Sequence, residues 1–443
     1  MERAKLIVKN FGPLKDIEIE VREMVAFIGA QASGKSTLAK LLSILEDEKF
    51  RSDDTIAFED ELKKYNLFSY IKKDSYISYN NINYLGKSPF SLDYDKGVFT
   101  KGTTHRYLSF IKDAHLTHKM DAEEINEHIL KMIVFDINDC LLNNSDKFLS
   151  VFSNEKQAKD FKKEFNIDKK FLHLSQNDIE KLFIILGKET TTENYIELYE
   201  KLVSLFPNLY LVDSIYIPSE RSFLHLIEGN TLGLINNKIN IPTHILNIGQ
   251  EYEKALNTIK EIPLSLIDKK FNYKREGKTS YIYHNQNERI NLLESSSGLQ
   301  SIIPILLLVE YSKSLKEEYN FNFIVEEPEL NLYPKTQHEL IKYLVKNCLL
   351  DGKNLILTTH SPFILASINN LLLAFDKGQN RQKEVNKIVK NESWINPKNF
   401  IAYQLKNGKA TKIMDDKLGQ IKENVIDVIS DNFSIEFDKL LDL

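Results

Sequence analysis

Runs of apolar residues with period two lie toward both ends of the chain, and a long stretch of helical period separates them. Lys5-Leu6-Ile7-Val8-Lys9 reads as a strand, Asn10-Phe11-Gly12-Pro13-Leu14 as a turn, and Asp16-Ile17-Glu18-Ile19-Glu20-Val21 as a second strand. The strict alternation of the second run suits a half-exposed antiparallel pair. Met24-Val25-Ala26-Phe27-Ile28 is apolar throughout and reads as a buried strand, while Thr37 to Leu45 carries apolar residues at helical spacing. Two strands ahead of the buried one depart from a simple doubly wound fold. Asn81–Gly86 and Phe90–Tyr94 read as a hairpin. Residues 105 to 206 read mainly helical, for example Ala122–Leu130 and Glu193–Leu202, with no heptad sustained long enough for a coiled coil. Further strands are expected at Ser214–Ile217, Ser280–His284, Arg289–Leu293, Asn322–Val325 and Asn354–Thr359. Ser301 to Tyr311 reads as a long apolar helix with Pro304 in its first turns, where proline is tolerated. Phe400–Leu405 and Lys409–Ile413 form a hairpin about Asn407-Gly408, and mixed helices follow to Leu443.

The ends of these elements carry the chemistry. Gly29-Ala30-Gln31-Ala32-Ser33-Gly34-Lys35-Ser36-Thr37 fits a phosphate-binding loop between a strand and a helix. Gly29 and Gly34 permit the tight turn that points successive N–H groups at phosphate oxygens. Lys35 supplies a point charge, and the Ser36 hydroxyl is placed to ligate Mg²⁺. Glu326-Glu327-Pro328-Glu329 ends a buried strand with three carboxylates in four residues, a repulsive set unless a cation such as Mg²⁺ is present. Glu326 would hold the metal through water, leaving Glu327 to orient and deprotonate an attacking water. Ser295-Ser296-Ser297-Gly298-Leu299-Gln300 opens a helix and offers unpaired N–H groups to an anion, or serves as a plain N-cap. His360-Ser361-Pro362 follows another strand, where a γ-phosphate sensor would lie. Pro218-Ser219-Glu220-Arg221 is a rigid turn that aims Glu220 and Arg221 beyond the sheet edge, or holds them as an ion pair.

Bulk properties narrow the partners. The 443 residues are 42% hydrophobic and 27% charged, with a net charge of −5, so any nucleic-acid site must be a local patch. Lys156 to Lys170 is interrupted by Asp160, Glu164 and Asp168 and reads as a solvated helix face. Only Cys140 and Cys348 are present, which excludes a disulfide framework or a thiolate metal site. Glu2, Arg3 and Lys5 break any early apolar run, and no apolar stretch is long enough to span a membrane; a cytoplasmic protein is expected.

Taken together, Lys9-Asn10-Phe11-Gly12-Pro13, the loop Gly29 to Thr37, Ile217 to Arg221, Ser296 to Gln300, Glu326 to Glu329 and Thr359-His360-Ser361-Pro362 resemble, in that order, the ABC-type ATPase heads of the RecF, SMC and OLD group. That group includes the AAA-labelled ATP-binding proteins of anti-phage systems such as Septu and PARIS. The resemblance covers residues 1 to about 50 and about 210 to 443. It implies an α/β head, a mixed sheet with a phosphate loop and antiparallel N-terminal strands, carrying a mainly helical insertion. The implied units are an N-terminal lobe at 1–104, the insertion at 105–206 and a C-terminal lobe at 207–443. It implies ATP and Mg²⁺ bound by Gly29, Ser33, Gly34, Lys35, Ser36 and Thr37, with Glu326 at the metal, Glu327 as base and His360 as switch histidine. Ser297, Gly298 and Gln300 would complete the site of an opposite subunit in an ATP-sandwiched dimer or larger oligomer. Leu299 stands where transporter heads have a second Gly, Glu326 replaces the commoner Asp, and no Q-loop glutamine is evident. The implied function is an ATPase switch controlling a separate effector, a nuclease, in anti-phage defence. The rivals are a RecF- or SMC-like ATPase that binds DNA directly and an ATP-locked scaffold.

Overall fold

The computed structural model describes residues 4–53, 55–80, 90–102, 130, 133–134, 137–138, 140–141, 144–165, 174–206, 212–227, 241–285, 288–315, 320–349, 354–422 and 435–441. The N-terminal ribbon forms as the alternation requires. Strands β1 (Ala4–Phe11) and β2 (Leu14–Val21) pair antiparallel, with Leu6 opposite Ile19 and Val8 opposite Ile17 on the buried face. Strand β3 (Met24–Gly29) is buried at every position. It leads through the phosphate loop into helix α1 (Lys35–Leu45). Strands β4 (Tyr76–Asn80), β5 (Ser91–Asp95) and β6 (Val98–Gly102) extend the ribbon antiparallel. The hairpin expected near residue 90 therefore uses Tyr76–Asn80 as its first strand; Asn81–Gly86 lie outside the described residues.

Helices α2 (Glu155–Phe165), α3 (Gln176–Leu186) and α4 (Thr192–Leu205) follow. The helix read at Ala122–Leu130 falls almost wholly outside the described residues. Strand β7 (Val212–Ile217) returns to the sheet, and helix α5 (Thr243–Thr258) comes next. A separate antiparallel sheet is built from β8 (Glu261–Pro263), β9 (Asn272–Glu276), β10 (Thr279–Tyr283) and β11 (Arg289–Asn291). Of these, only the β10–β11 pairing is legible as a hairpin in the sequence. Helix α6 (Ser297–Ser314), strand β12 (Asn320–Glu326), helix α7 (Pro334–Cys348), strand β13 (Leu355–Thr359) and helix α8 (Pro362–Ile388) complete the site-bearing half. The chain closes its sheet with β14 (Phe400–Lys406) and β15 (Lys409–Lys412), whose turn has the positive φ values, +54° and +77°, that Asn407 and Gly408 tolerate. The residues between 423 and 434 lie outside the described set, and 435–441 are helical.

Among the described residues the main sheet has eleven strands in the order β6-β5-β4-β1-β2-β15-β14-β3-β13-β12-β7. From β14 to β7 every pairing is parallel, so these strands end on the same side. Helix α1 packs on β3, β7, β12 and β13. Each fully buried Leu or Ile it places there contributes about 1.5–3 kcal/mol. The C-terminal hairpin sits in the middle of the sheet and joins the antiparallel ribbon to the parallel set. Strands β6 and β7, between which residues 103–211 run, are the two outermost strands. Residues between Ile133 and Phe206 form a second hydrophobic core, distinct from the one under the main sheet. Both cysteines are buried. Among the described residues no helix is long and apolar enough to cross a membrane.

Candidate functional site

Parallel pairing aligns the C-terminal ends of four neighbouring strands. Thr359 stands opposite Ile28, Glu326 opposite Thr358, and Val325 opposite Ile217. The phosphate loop, the double glutamate, His360 and the Pro218–Arg221 turn thus leave the sheet side by side, where ligands of parallel sheets bind.

In the phosphate loop, Ala32 and Gly34 have φ of +59° and +99°. A Cβ on Gly29 would stand 2.4 Å from the Leu405 carbonyl oxygen, so the C-terminal hairpin itself demands glycine there. Lys35 is 5% exposed as a residue, and its ammonium donates to the Gly29 and Ala30 carbonyls at 2.9 and 3.0 Å. Burial lowers its pKa, while Glu327, Glu329 and Glu326 act the other way. Ser36 is exposed at the helix start, Thr37 is buried, and the sealed Ser33 hydroxyl has no partner.

The three carboxylates after β12 have three separate surroundings. Glu326 is 3% exposed, and its Oε1 has no hydrogen-bond partner among the described residues. Burial raises its pKa; the Ser36 and Tyr216 hydroxyls and Lys40 favour the ionised form. An orphaned acceptor beside a hydroxyl at the head of α1 suits a hard cation such as Mg²⁺, with Ser36 and Glu326 as its protein-side contacts. Glu327 has φ +41°, a strained value for a side chain of this kind, and its N–H donates to the Thr358 carbonyl at 2.9 Å. The strained backbone turns its carboxylate to His360, whose Nε2 lies 2.9 Å from Glu327 Oε1. Glu329 does not join them. Its Oε1 accepts from the Thr359 hydroxyl at 2.8 Å and the His360 N–H at 2.7 Å, and burial raises its pKa. Glu327 thus meets the ring of His360, whereas Glu329 meets the backbone N–H of the same residue and the Thr359 hydroxyl.

Ser296 occupies the N-cap position of α6 without a side-chain capping hydrogen bond, and Ser297 is exposed in the first turn. Gly298 is in close contact with the loop after Glu327: a Cβ would stand 2.7 Å from the Asn331 carbonyl oxygen. The Gln300 amide donates to the Leu293 and Ser295 carbonyls, both at 3.0 Å, and so clamps the turn that presents Ser297.

Three further residues were misread or missed. Arg221, expected to point outward or pair with Glu220, is 0% exposed. It donates to the Ser301, Pro218, Glu326 and Glu327 carbonyls, while Glu220 is exposed and takes a hydrogen bond from Ser219. Pro304 lies in the third turn of α6, not near its start, because the helix begins at Ser297. Gln337 bridges the Ser361 hydroxyl at 2.6 Å and the Leu332 carbonyl at 2.9 Å, and nothing in its sequence surroundings marks it.

Comparison with known proteins gives no match among curated proteins. Solved structures do match. They include the SMC head bound to the C-winged helix domain of ScpA, at 9% identity over 94% of this chain and 99% of that one (TM-score 0.37). The SMC head domain from Thermotoga maritima matches at 12% identity over 93% and 98% (TM-score 0.35). The recombination mediator protein RecF of the RecFOR pathway matches at 12% over 93% and 99% (TM-score 0.31). The AAA ATPase domain family matches over residues 1–365, most of the chain, and the protein belongs to that family of ATPase domains.

Proposed function

We propose that the protein hydrolyses ATP with Mg²⁺ between two copies of its head and passes the nucleotide state to a partner through residues 105–206. The observation that carries this reading is the Glu327–His360 pair at 2.9 Å, held on turns that leave the two strands next in order to the phosphate loop strand on one side. On ATP binding, Lys35 exchanges the Gly29 and Ala30 carbonyls for phosphate oxygens. Ser36 and Glu326 would hold a bound Mg²⁺, which would supply charge neutralisation at the phosphates. Glu327 takes a proton from water as the water oxygen attacks the γ-phosphorus, and the bond to the bridging oxygen breaks to leave ADP and phosphate. His360 orients Glu327 and donates toward the γ-phosphate. Ser297 and Gly298 of the opposite copy close the site, and the exposed Tyr333 and Phe363, 76% and 50% accessible, supply apolar surface to the shared face.

A protein partner at the insertion, a nuclease effector in the anti-phage case, is favoured over DNA by the pairing of its charges. Lys159 meets Glu155, Lys162 meets Asp146 and Lys181 meets Glu164. The test is Mg²⁺-dependent ATP turnover. Glu327→Gln should keep ATP binding and lose about 10²-fold or more in rate. Lys35→Ala should lose ATP binding. Wild-type turnover by Glu327→Gln removes Glu327 from the catalytic role.

A further inference from the structure

Arg221 spends its donors on backbone alone. Nε donates to the Ser301 carbonyl at 2.9 Å, one terminal nitrogen to Glu326 at 2.8 Å and Pro218 at 3.2 Å, and the other to Glu327 at 2.8 Å. A fully buried, planar guanidinium with four such bonds fixes the distance between the groups it joins. Those groups are the turn that carries Glu326 and Glu327 and the second turn of α6. Pro304 makes α6 receptive. Its missing N–H leaves the Gln300 carbonyl, four residues back, without the usual helical donor. His225, four residues past Arg221, takes that carbonyl through Nε2 at 2.7 Å and is itself steadied by the Tyr252 hydroxyl at 2.8 Å. A second contact runs the same way, since Gly298 packs on Asn331.

We propose that Arg221, with His225, is a positioning residue that makes the catalytic turn and the Ser297 end of α6 one rigid body, so that the state of one ATP site is transmitted to the other. This rests on the two-copy reading above, in which a chain's catalytic turn serves one site and its α6 serves the opposite one. Arg221 then acts on both sites at once, on one of them across the interface.

The experiment isolates the effect across the interface. Full-length chains with two tags are purified as mixed dimers with ATP and Mg²⁺. In the reference dimer, wild type is paired with Glu327→Gln. In the test dimer, wild type is paired with a chain carrying Glu327→Gln and Arg221→Lys. In both, the competent site uses a wild-type catalytic turn and the other chain's α6. Lysine keeps the charge but cannot span Ser301 and Glu327 together. The test dimer should hydrolyse about 3- to 30-fold more slowly than the reference, with ATP affinity unchanged. Equal rates overturn the proposal, because a purely supportive arginine acts only within its own chain.

If the doubly substituted chain does not fold, or if the reference dimer is silent, Pro304→Ala decides. It restores the helical donor to Gln300 and displaces His225. Hydrolysis should fall while the melting temperature holds or rises; wild-type hydrolysis overturns the proposal. Glu327→Gln that stays monomeric with ATP sinks the two-copy reading and this coupling with it. Dimers with equal rates sink the coupling alone.

Discussion

His360 Nε2 and Glu327 Oε1 stand 2.9 Å apart on turns that leave two adjacent parallel strands. Two structural features hold the pair. The positive φ of Glu327 turns its carboxylate sideways, and Glu329 grips the backbone N–H of His360 from beneath. The histidine therefore has separate anchors for backbone and ring. His360→Ala frees only the ring, so hydrolysis should fall about 10²-fold with ATP affinity kept, as measured by steady-state turnover and nucleotide titration. Unchanged turnover would exclude the ring from the reaction.

Glu329 should act through His360. Glu329→Ala leaves the His360 N–H and the Thr359 hydroxyl without their acceptor, which costs about 1–3 kcal/mol of stability for the buried donor. Turnover should fall as His360 moves, while Glu329→Gln, which keeps an acceptor oxygen, should recover most of both. Denaturant unfolding and turnover on the two variants check this; equal behaviour of Ala and Gln counts against it.

Ser297, not Gly298, is the clean probe of the shared site. Any side chain at Gly298 meets the Asn331 carbonyl in its own chain, so a substitution there disturbs the catalytic loop directly. Ser297 is exposed, and Ser297→Arg should change stability by less than about 0.5 kcal/mol. It should nonetheless abolish the ATP-induced dimer of Glu327→Gln in light scattering. A dimer that survives Ser297→Arg would place that helix end outside the interface.

His225 makes a specific contribution to acid stability. Burial lowers its pKa from the ordinary 6.5 to about 4. The unfolded chain therefore binds more protons between those values, and stability rises with pH there. The contribution is complete above pH 6.5 and is lost as pH falls toward 4, an order of about 3 kcal/mol. The stability gap between wild type and His225→Gln should narrow by about that much from pH 7 to pH 4 in chemical denaturation. A gap that is flat with pH refutes the assignment.

Removing residues 105–206 tests the docking role, and the topology dictates how. The deleted segment joins the two edge strands of an eleven-stranded sheet. At about 4.8 Å per strand spacing the ends stand up to roughly 48 Å apart along the sheet, some 15 residues of fully extended chain. A deletion bridged by a short linker should fail to fold. A flexible linker of about 40 residues should preserve ATP binding and lose the partner in pull-downs from the native host. A short-linker variant that folds would contradict the separation; retained capture by the long-linker variant would contradict the docking role.

Local pattern was enough for the phosphate loop, the N-terminal ribbon, the double glutamate and the Asn407-Gly408 hairpin. Each is written in neighbouring residues, as a period, a glycine at a turn or a run of like charge, and short-range sterics decide it. The alternation of β2 alone predicts its buried face, and the set of motifs pointed to the family. What the residues do to one another was not local. The C-terminal hairpin is readable as a hairpin, but its place between β2 and β3, against Gly29, depends on a pairing across more than 370 residues. Arg221 reads as an exposed charge because burying a guanidinium is costly; only the tertiary structure supplies the four carbonyls that make burial affordable. Glu327 and Glu329 are indistinguishable as sequence. The difference between them comes from Thr359 and His360, about thirty residues on, which reach one carboxylate with a ring and the other with a backbone N–H.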